Sequence, residues 1–184
     1  MSARVFDPLR LDVQAFAGDA GELSGCWPLR LLERLSGGVH ADTPLADTDE
    51  IAWRARGEQR AARGVPPQTW VHLRAHASLN LECQRCLQPV ETPLAVDRWF
   101  HFVPGEDAAA QMDADNEDDV LALTRALDLR ELVEDELLLA LPLVPRHAVC
   151  PAPLLAPNEA PEPAPDRVNP FAALAALRRG GPLN

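Results

Sequence analysis

Two cysteines separated by two residues are the part of this sequence whose chemistry is easiest to name. Cys83 and Cys86 can chelate one soft metal ion or form a redox pair, because both thiols reach a common point. A redox pair of this kind is expected to follow a strand and to open a helix, whereas here Pro89 and β-rich sequence follow the motif. The pattern therefore favours metal binding, or two buried thiols that close a turn, over redox chemistry.

A second pair of potential metal ligands, His147 and Cys150, follows some 60 residues later with the same spacing. A set of three cysteines and one histidine is acceptable for structural zinc. We therefore predict a structural zinc site, with buried thiols that bind no metal as the alternative. The predicted ligands are Cys83, Cys86, His147 and Cys150. Cys26 has no partner nearby in the sequence and is predicted to lie in the core.

Several arginines are placed where they could form a contact surface. Guanidinium groups on the polar face of a strand can bind phosphates, although a solvated face that contacts nothing stays open as the alternative. The residues predicted to contact RNA or another partner are Arg54, Arg56, Arg74 and Arg85. His72 and His76 alternate with Arg74, but four residues along a strand separate two side chains by about 13 Å. A metal ion shared by these two histidines is therefore excluded.

The net charge of −11 is spread unevenly along the chain. Residues 51–100 carry 7 Arg against 4 acidic residues, whereas residues 101–140 carry 2 Arg against 12 acidic residues. A chain of this overall sign will not coat nucleic acid non-specifically, since phosphate binding needs clustered cations. It can still offer one arginine-rich face to RNA, or an acidic segment to a basic partner.

The spacing of apolar residues predicts an α+β fold. Residues 71–82 alternate between apolar and polar, which is typical of an antiparallel strand with one face in water. Residues 51–57 and 91–103 are its predicted neighbours, with a shorter extended piece at 21–27. We expect an antiparallel β-sheet or a partly open barrel, with the CxxC motif in the turn between two long strands.

Helices are predicted on both sides of this β-rich region. A short helix is expected over 7–17 with Asp7 as its cap, and another over 29–35. Residues 127–141 read as one amphipathic helix packed on the sheet. Its expected solvent-facing residues are Glu131, Glu134, Asp135 and Glu136.

The domain organisation follows from composition. Residues 1–150 are predicted to form a single α+β domain with an acidic, solvated loop at 104–119. Residues 151–168 are rich in proline and are predicted to form an extended linker. Residues 169–184 are predicted to form a C-terminal helical tail on that tether.

Several classes of protein are disfavoured. No run of about 18 apolar residues suggests a membrane span, and no apolar segment follows the N-terminal charge as a signal peptide requires, so we expect a cytoplasmic protein. Phosphate-binding loops, dinucleotide turns and nucleophile elbows are not recognisable either. We therefore expect no enzyme, no small-molecule substrate and no DNA partner.

Blocks of sequence along nearly the whole chain resemble one family. Leu81–Pro89 is similar to the central motif of the YceD family, the large ribosomal RNA subunit accumulation proteins. Asp128–His147 resembles the family's helix and the segment after it, and Asn169–Leu177 its C-terminal signature. Asp7–Arg10 fits the family's opening as well.

This resemblance implies a non-enzymatic role in the synthesis, processing or stability of 23S ribosomal RNA. The implied partner is pre-ribosomal RNA or a basic protein of the large ribosomal subunit. Family branches with a second cysteine pair after the helix suggest a zinc site, of which this chain keeps His147 and Cys150. The competing hypothesis is a metal- or thiol-dependent redox enzyme that works through Cys83 and Cys86.

Overall fold

The computed structural model describes residues 4–61, 64, 66–115 and 119–151. One 3-10 turn, Leu29–Leu31, stands between the first strand and the second helix. In chain order the helices and strands are α1 (Val13–Gly18), β1 (Glu22–Pro28), α2 (Glu33–Ser36), β2 (Glu50–Arg60), β3 (Gln68–Glu82), β4 (Pro89–Val103), α3 (Glu106–Asp115), β5 (Asp119–Ala122) and α4 (Leu129–Leu139).

The strands form one open sheet in the order β1-β2-β3-β4-β5. The pairs from β1 to β4 are antiparallel, whereas β5 runs parallel to β4. The predicted α+β class is confirmed. The sheet is mixed rather than wholly antiparallel, because α3 carries the chain back before β5 begins.

One face of the sheet, called here the inner face, bears the main hydrophobic core. Alternate residues of β3 and β4, such as Leu73 and Val96, are buried there against α1 and α4. Gly57 in β2 is needed at this contact, since a Cβ atom would lie 2.7 Å from the carbonyl oxygen of Phe16 in α1. The burial of this face fixes which side chains remain for the opposite, outer face.

The first helix begins later than predicted. Asp12 caps it by accepting a hydrogen bond from the Ala15 N–H, and Asp7 instead caps a turn through the Leu9 N–H. Leu11 is held in extended conformation by two backbone hydrogen bonds with Leu127, of 2.8 and 3.0 Å. A helix through residue 11 would break this pairing, so the prediction of 7–17 was wrong at its start.

The acidic segment 104–119 was predicted as a loop, and most of it is helix α3. Gly105, at φ +87°, allows the chain to turn into the helix. Glu106 and Asp107 in the first turn suit the positive end of the helix dipole. Ala109 packs against Val103 and Val120 at the β4–β5 edge, and this contact gives the acidic helix a small core of its own.

Three predictions of burial were wrong. Glu134 was expected on the solvent side of α4 but is 8% exposed, because its carboxylate bonds to α2. Glu136 was expected there as well but is 7% exposed and contacts Arg98 of β4. Cys26 was expected in the core but is exposed, since its position opposite Ala52 places it on the outer face of β1. In each case the neighbouring element decides the environment, and local sequence does not show it.

The chain up to Pro151 forms one compact unit. Apart from Pro151, the predicted linker 151–168 and the predicted helical tail 169–184 lie outside the described residues. Within the part of the chain that the structure describes, none of the helices is long and apolar enough to cross a membrane.

Candidate metal centre and outer sheet face

The CxxC motif lies in the turn between β3 and β4, as predicted. The Cys83 N–H donates to the Gln88 carbonyl at 3.0 Å, and the Leu87 N–H donates to the Cys83 carbonyl at 2.8 Å. Leu87 closes the turn with φ +58°, a conformation that non-glycine residues rarely adopt. These bonds hold Cys83 and Cys86 on the same side of the turn.

The segment after α4 brings the second pair of candidate ligands to this turn. The Gln84 N–H donates to the Pro145 carbonyl at 2.9 Å, which fixes the returning chain. His147 Nε2 lies 3.0 Å from the Pro89 carbonyl oxygen and must carry the proton, because a carbonyl only accepts. In the neutral imidazole Nδ1 is then the acceptor nitrogen, and it lies 3.4 Å from Cys86 Sγ.

The structure thus brings together all four predicted zinc ligands. One ligand atom from each of Cys83, Cys86, His147 and Cys150 lies within 4.8 Å of the others. Tetrahedral zinc with Zn–S of about 2.3 Å and Zn–N of about 2.0 Å separates its ligands by about 3.5 Å, so a modest contraction would complete the site. A Cys3His group of this geometry could hold a metal ion.

The pKa values of Cys83 and Cys86 are shifted in opposite directions. Burial raises the pKa of Cys83, but backbone N–H groups of His147, Arg85 and Cys86 outweigh burial and lower that pKa to about 5. Burial and the neighbouring sulfurs raise the pKa of Cys86. One thiolate is therefore readily formed here, whereas a second one close by requires a compensating positive charge.

Arg85 supplies positive charge at this cluster. Its Nε donates to Cys150 Sγ at 3.0 Å, and Nη2 donates to the His147 carbonyl at 3.0 Å. The contact with Cys150 raises the pKa of the Arg85 guanidinium. The structure places Arg85 in the turn, apart from the other three arginines that were predicted as partner contacts.

Those three arginines lie side by side on the outer face of the sheet. Arg54 on β2 is the direct cross-strand partner of Arg74 on β3, and Arg56 is the partner of His72. Like charges directly opposite each other repel, and acidic neighbours offset this repulsion. Glu22 contacts Arg54 at 2.9 Å, and Asp97 contacts Arg74 at 2.9 Å.

An open cavity of about 400 Å³ lies over these side chains. The residues that line it are Glu22, Arg54, Arg56, His72, Arg74 and Trp99. Each arginine side chain is more than half exposed, so the guanidinium groups remain accessible. His76 lies on the same face and is exposed.

Sequence reasoning missed the aromatic part of this face. The strand predicted over 91–103 assigns Trp99 to neither face. Its pairing with His72 places it outside, whereas Val96 and Phe100 point to the core. The spacing along the strand carries this signal. Trp99 is an odd number of residues from both Val96 and Phe100, and such a separation places side chains on opposite faces of a sheet.

The fold and the site define an α+β protein with an open mixed sheet, a Cys3His cluster at one hairpin turn and an arginine-bearing outer face. Residues 71–178 match the family model described as large ribosomal RNA subunit accumulation protein YceD. A protein of that name from Haemophilus influenzae is 34% identical over 121 residues, which are 62% of this chain and 70% of that protein. No solved structure matches. The chain belongs to the YceD family.

Proposed function

We propose that this protein is a cytoplasmic ribosome biogenesis factor that supports the synthesis, processing or stability of 23S ribosomal RNA without catalysing a reaction. Membership of the family named for large ribosomal RNA subunit accumulation supports this role. The matched region runs from β3 through α4 and includes the whole Cys3His cluster.

The proposed partner is pre-ribosomal RNA, bound at the outer face. The observation that carries this choice is the grouping of Arg54, Arg56 and Arg74 on two adjacent strands, with accessible guanidinium groups. Arginine binds phosphate through several N–H donors in a planar arrangement, so such a group suits an RNA backbone. The competing partner is a basic protein of the large subunit, which would contact the acidic segment that contains α3.

Depletion of the protein in its source organism tests the role. We expect 23S ribosomal RNA and mature large subunits to decrease relative to 16S ribosomal RNA and small subunits. Unchanged ratios would refute the proposed function. Affinity purification with and without RNase then separates the partners, since an RNA-bound factor loses ribosomal proteins after RNase and a protein-bound factor keeps them.

We further propose that Cys83, Cys86, His147 and Cys150 hold a structural zinc ion. The support is the convergence of four suitable ligand atoms and the orientation of His147, whose Nε2–H is held by the Pro89 carbonyl. A backbone acceptor on the second nitrogen is the usual arrangement for a metal-bound histidine. Zinc here would tie the β3–β4 turn to the segment that follows α4.

A thiol-dependent redox enzyme is the second candidate function. The low pKa of Cys83 favours it, since a thiolate is the reactive form. Its side chain is fully buried, however, and a substrate would have no access to the sulfur. Purified protein that catalyses exchange between a thiol and a disulfide substrate, and that loses this turnover in Cys83→Ser, would support the enzyme.

A further inference from the structure

The outer face carries a continuous stack of flat side chains next to the arginine group. His101 stacks on Trp70 with ring centroids 4.5 Å apart, and His72 stacks on Trp99 at 4.4 Å. The Arg60 guanidinium carbon lies 4.2 Å from the Trp70 ring centroid and 4.3 Å from that of Trp99. Arg60 therefore joins the two aromatic pairs into one column.

This column ends at the cavity. His72 and Trp99 are at once the last pair of the column and part of the cavity wall. The Asp97 carboxylate contacts Nε2 of His72 and Nε of Arg74, and these contacts orient both side chains at the rim of the cavity. Helix α3 covers the far end of the outer face, near Val103 and Val120.

The cavity thus combines a flat aromatic wall with cations on its floor. Two cross-strand rows form it: Arg54, Arg74 and Asp97 in one, and Glu22, Arg56, His72 and Trp99 in the other. With Asp97 at the rim, three arginines face two carboxylates, so the cavity keeps a small excess of positive charge although the protein as a whole is acidic. Arg74 contacts Asp97 through Nε at 2.9 Å, and its side chain is still 53% exposed.

We propose that this cavity binds unpaired RNA, with a base against the His72–Trp99 wall and backbone phosphates on Arg54, Arg56 and Arg74. The inference rests on the proposed function and names the form of RNA recognised. A sheet surface with aromatic side chains suits unpaired nucleotides, because their bases are free to stack, whereas the bases of a duplex are already stacked. The phosphate contacts make binding dependent on salt.

Binding of fluorescently labelled RNA, followed by anisotropy, tests the proposal with the full chain. The probes are a mixed-sequence single strand of about 12 nucleotides and a duplex of the same length. We expect the single strand to bind at least about tenfold more tightly than the duplex. Equal affinity, or preference for the duplex, would overturn the proposal.

Charge is tested with a matched pair of variants. Arg54→Gln removes an arginine that is 59% exposed and 2.9 Å from Glu22. Arg30→Gln removes one that is 56% exposed and 2.7 Å from Asp47, in the 3-10 turn after β1. We expect Arg54→Gln to weaken binding about fivefold and to reduce the slope of log affinity against log salt by about 0.7. Equal effects of the two variants would show non-specific attraction only and would contradict the site.

Stacking is tested with Trp99→Leu, for which we expect a loss of about tenfold in affinity. Trp27→Leu is the control, since Trp27 stacks on Trp53 and packs against the core of the inner face. Circular dichroism must show that both tryptophan variants fold. If either does not fold, Arg54→Gln still tests the site, because it changes an exposed side chain.

Loss of affinity in Arg54→Gln with normal 23S ribosomal RNA in cells would refute this RNA site as the basis of function but not the proposed role. Normal RNA binding with no effect of depletion would refute the role.

Discussion

Arg85 donates a hydrogen bond from Nε to Sγ of Cys150, with 3.0 Å between the two atoms. The same guanidinium reaches the His147 carbonyl, so one side chain of the β3–β4 turn holds both ends of the returning segment. An arginine in this position places a positive charge against Cys150 Sγ and ties the returning segment to the turn. Arg85 is therefore a positioning residue for the Cys3His cluster.

Replacement of Arg85 by Gln is expected to weaken zinc binding about tenfold, because outer-shell partners orient and charge-balance metal ligands. Competition with a chromophoric chelator measures the affinity of the purified protein. Arg30→Gln, which removes an exposed arginine far from the cluster in sequence and in contacts, should leave it unchanged. An unaltered zinc affinity in Arg85→Gln would contradict the positioning role, and the predicted partner contact would then be the remaining role of Arg85.

Loss of a ligand should be more severe than loss of Arg85. We expect Cys86→Ser to abolish zinc retention after dialysis and to lower the free energy of unfolding by about 3–4 kcal/mol in zinc-containing buffer. Metal analysis and urea unfolding provide the two measurements. Cys26→Ser is the matched control, since Cys26 is exposed on β1. Equal zinc content in the two variants would show that the four residues form no metal site.

Local sequence predicts much of the sheet and of the Cys3His cluster. The alternation over 71–82 identifies the inner and outer positions of β3. The two-residue gaps in Cys83–Cys86 and in His147–Cys150 identify the ligand pairs. The outer-face arginines follow from the same alternation once the strands are paired.

Long-range contacts decide the rest. The four residues of β5 carry no alternation long enough to reveal a strand, and their pairing with β4 depends on α3. Glu134 could not be assigned to the interior because its partner is 100 residues away.

Glu134 acts as a cap that α2 lacks in its own sequence. Leu32 occupies the N-cap position and offers no side-chain acceptor. Glu134 Oε1 instead accepts from the backbone N–H groups of Arg34 and Leu35, at 2.7 and 3.1 Å. Its Oε2 accepts from the Arg34 guanidinium at 3.0 and 3.2 Å. The buried carboxylate is thus fully satisfied, and it ties α4 to α2.

Glu134→Ala should lower the free energy of unfolding by about 2–4 kcal/mol, since it leaves two backbone donors without an acceptor in a buried place. Glu131→Ala removes an exposed carboxylate from the same helix and should cost no more than about 0.5 kcal/mol. Chemical unfolding at neutral pH compares the two variants. A small effect of Glu134→Ala would mean that water replaces the carboxylate at α2.

Glu136 is the buried carboxylate of α4 whose environment opposes its charge. Burial raises the pKa of Glu136 above 4.5, and the hydrogen bond from Arg98, at 3.3 Å, only partly offsets this effect. A raised pKa means that the folded protein holds the proton more tightly than the unfolded chain does. The contribution of Glu136 to the free energy of unfolding is therefore fully present below pH 4.5 and is lost as the pH rises through its folded pKa.

Glu136→Gln should consequently unfold at a higher temperature than the native protein at pH 7, because the amide has no charge to bury. The advantage should shrink as the pH falls towards 4.5, where the native carboxyl becomes neutral as well. Thermal unfolding of both proteins across this range measures the difference, and Glu131→Gln on the exposed side of α4 should show no such trend. A variant less stable than the native protein at pH 7 would mean that the Arg98 contact outweighs burial. Arg98 also contacts Asp119 at 3.0 Å, so the substitution does not leave its guanidinium unpaired.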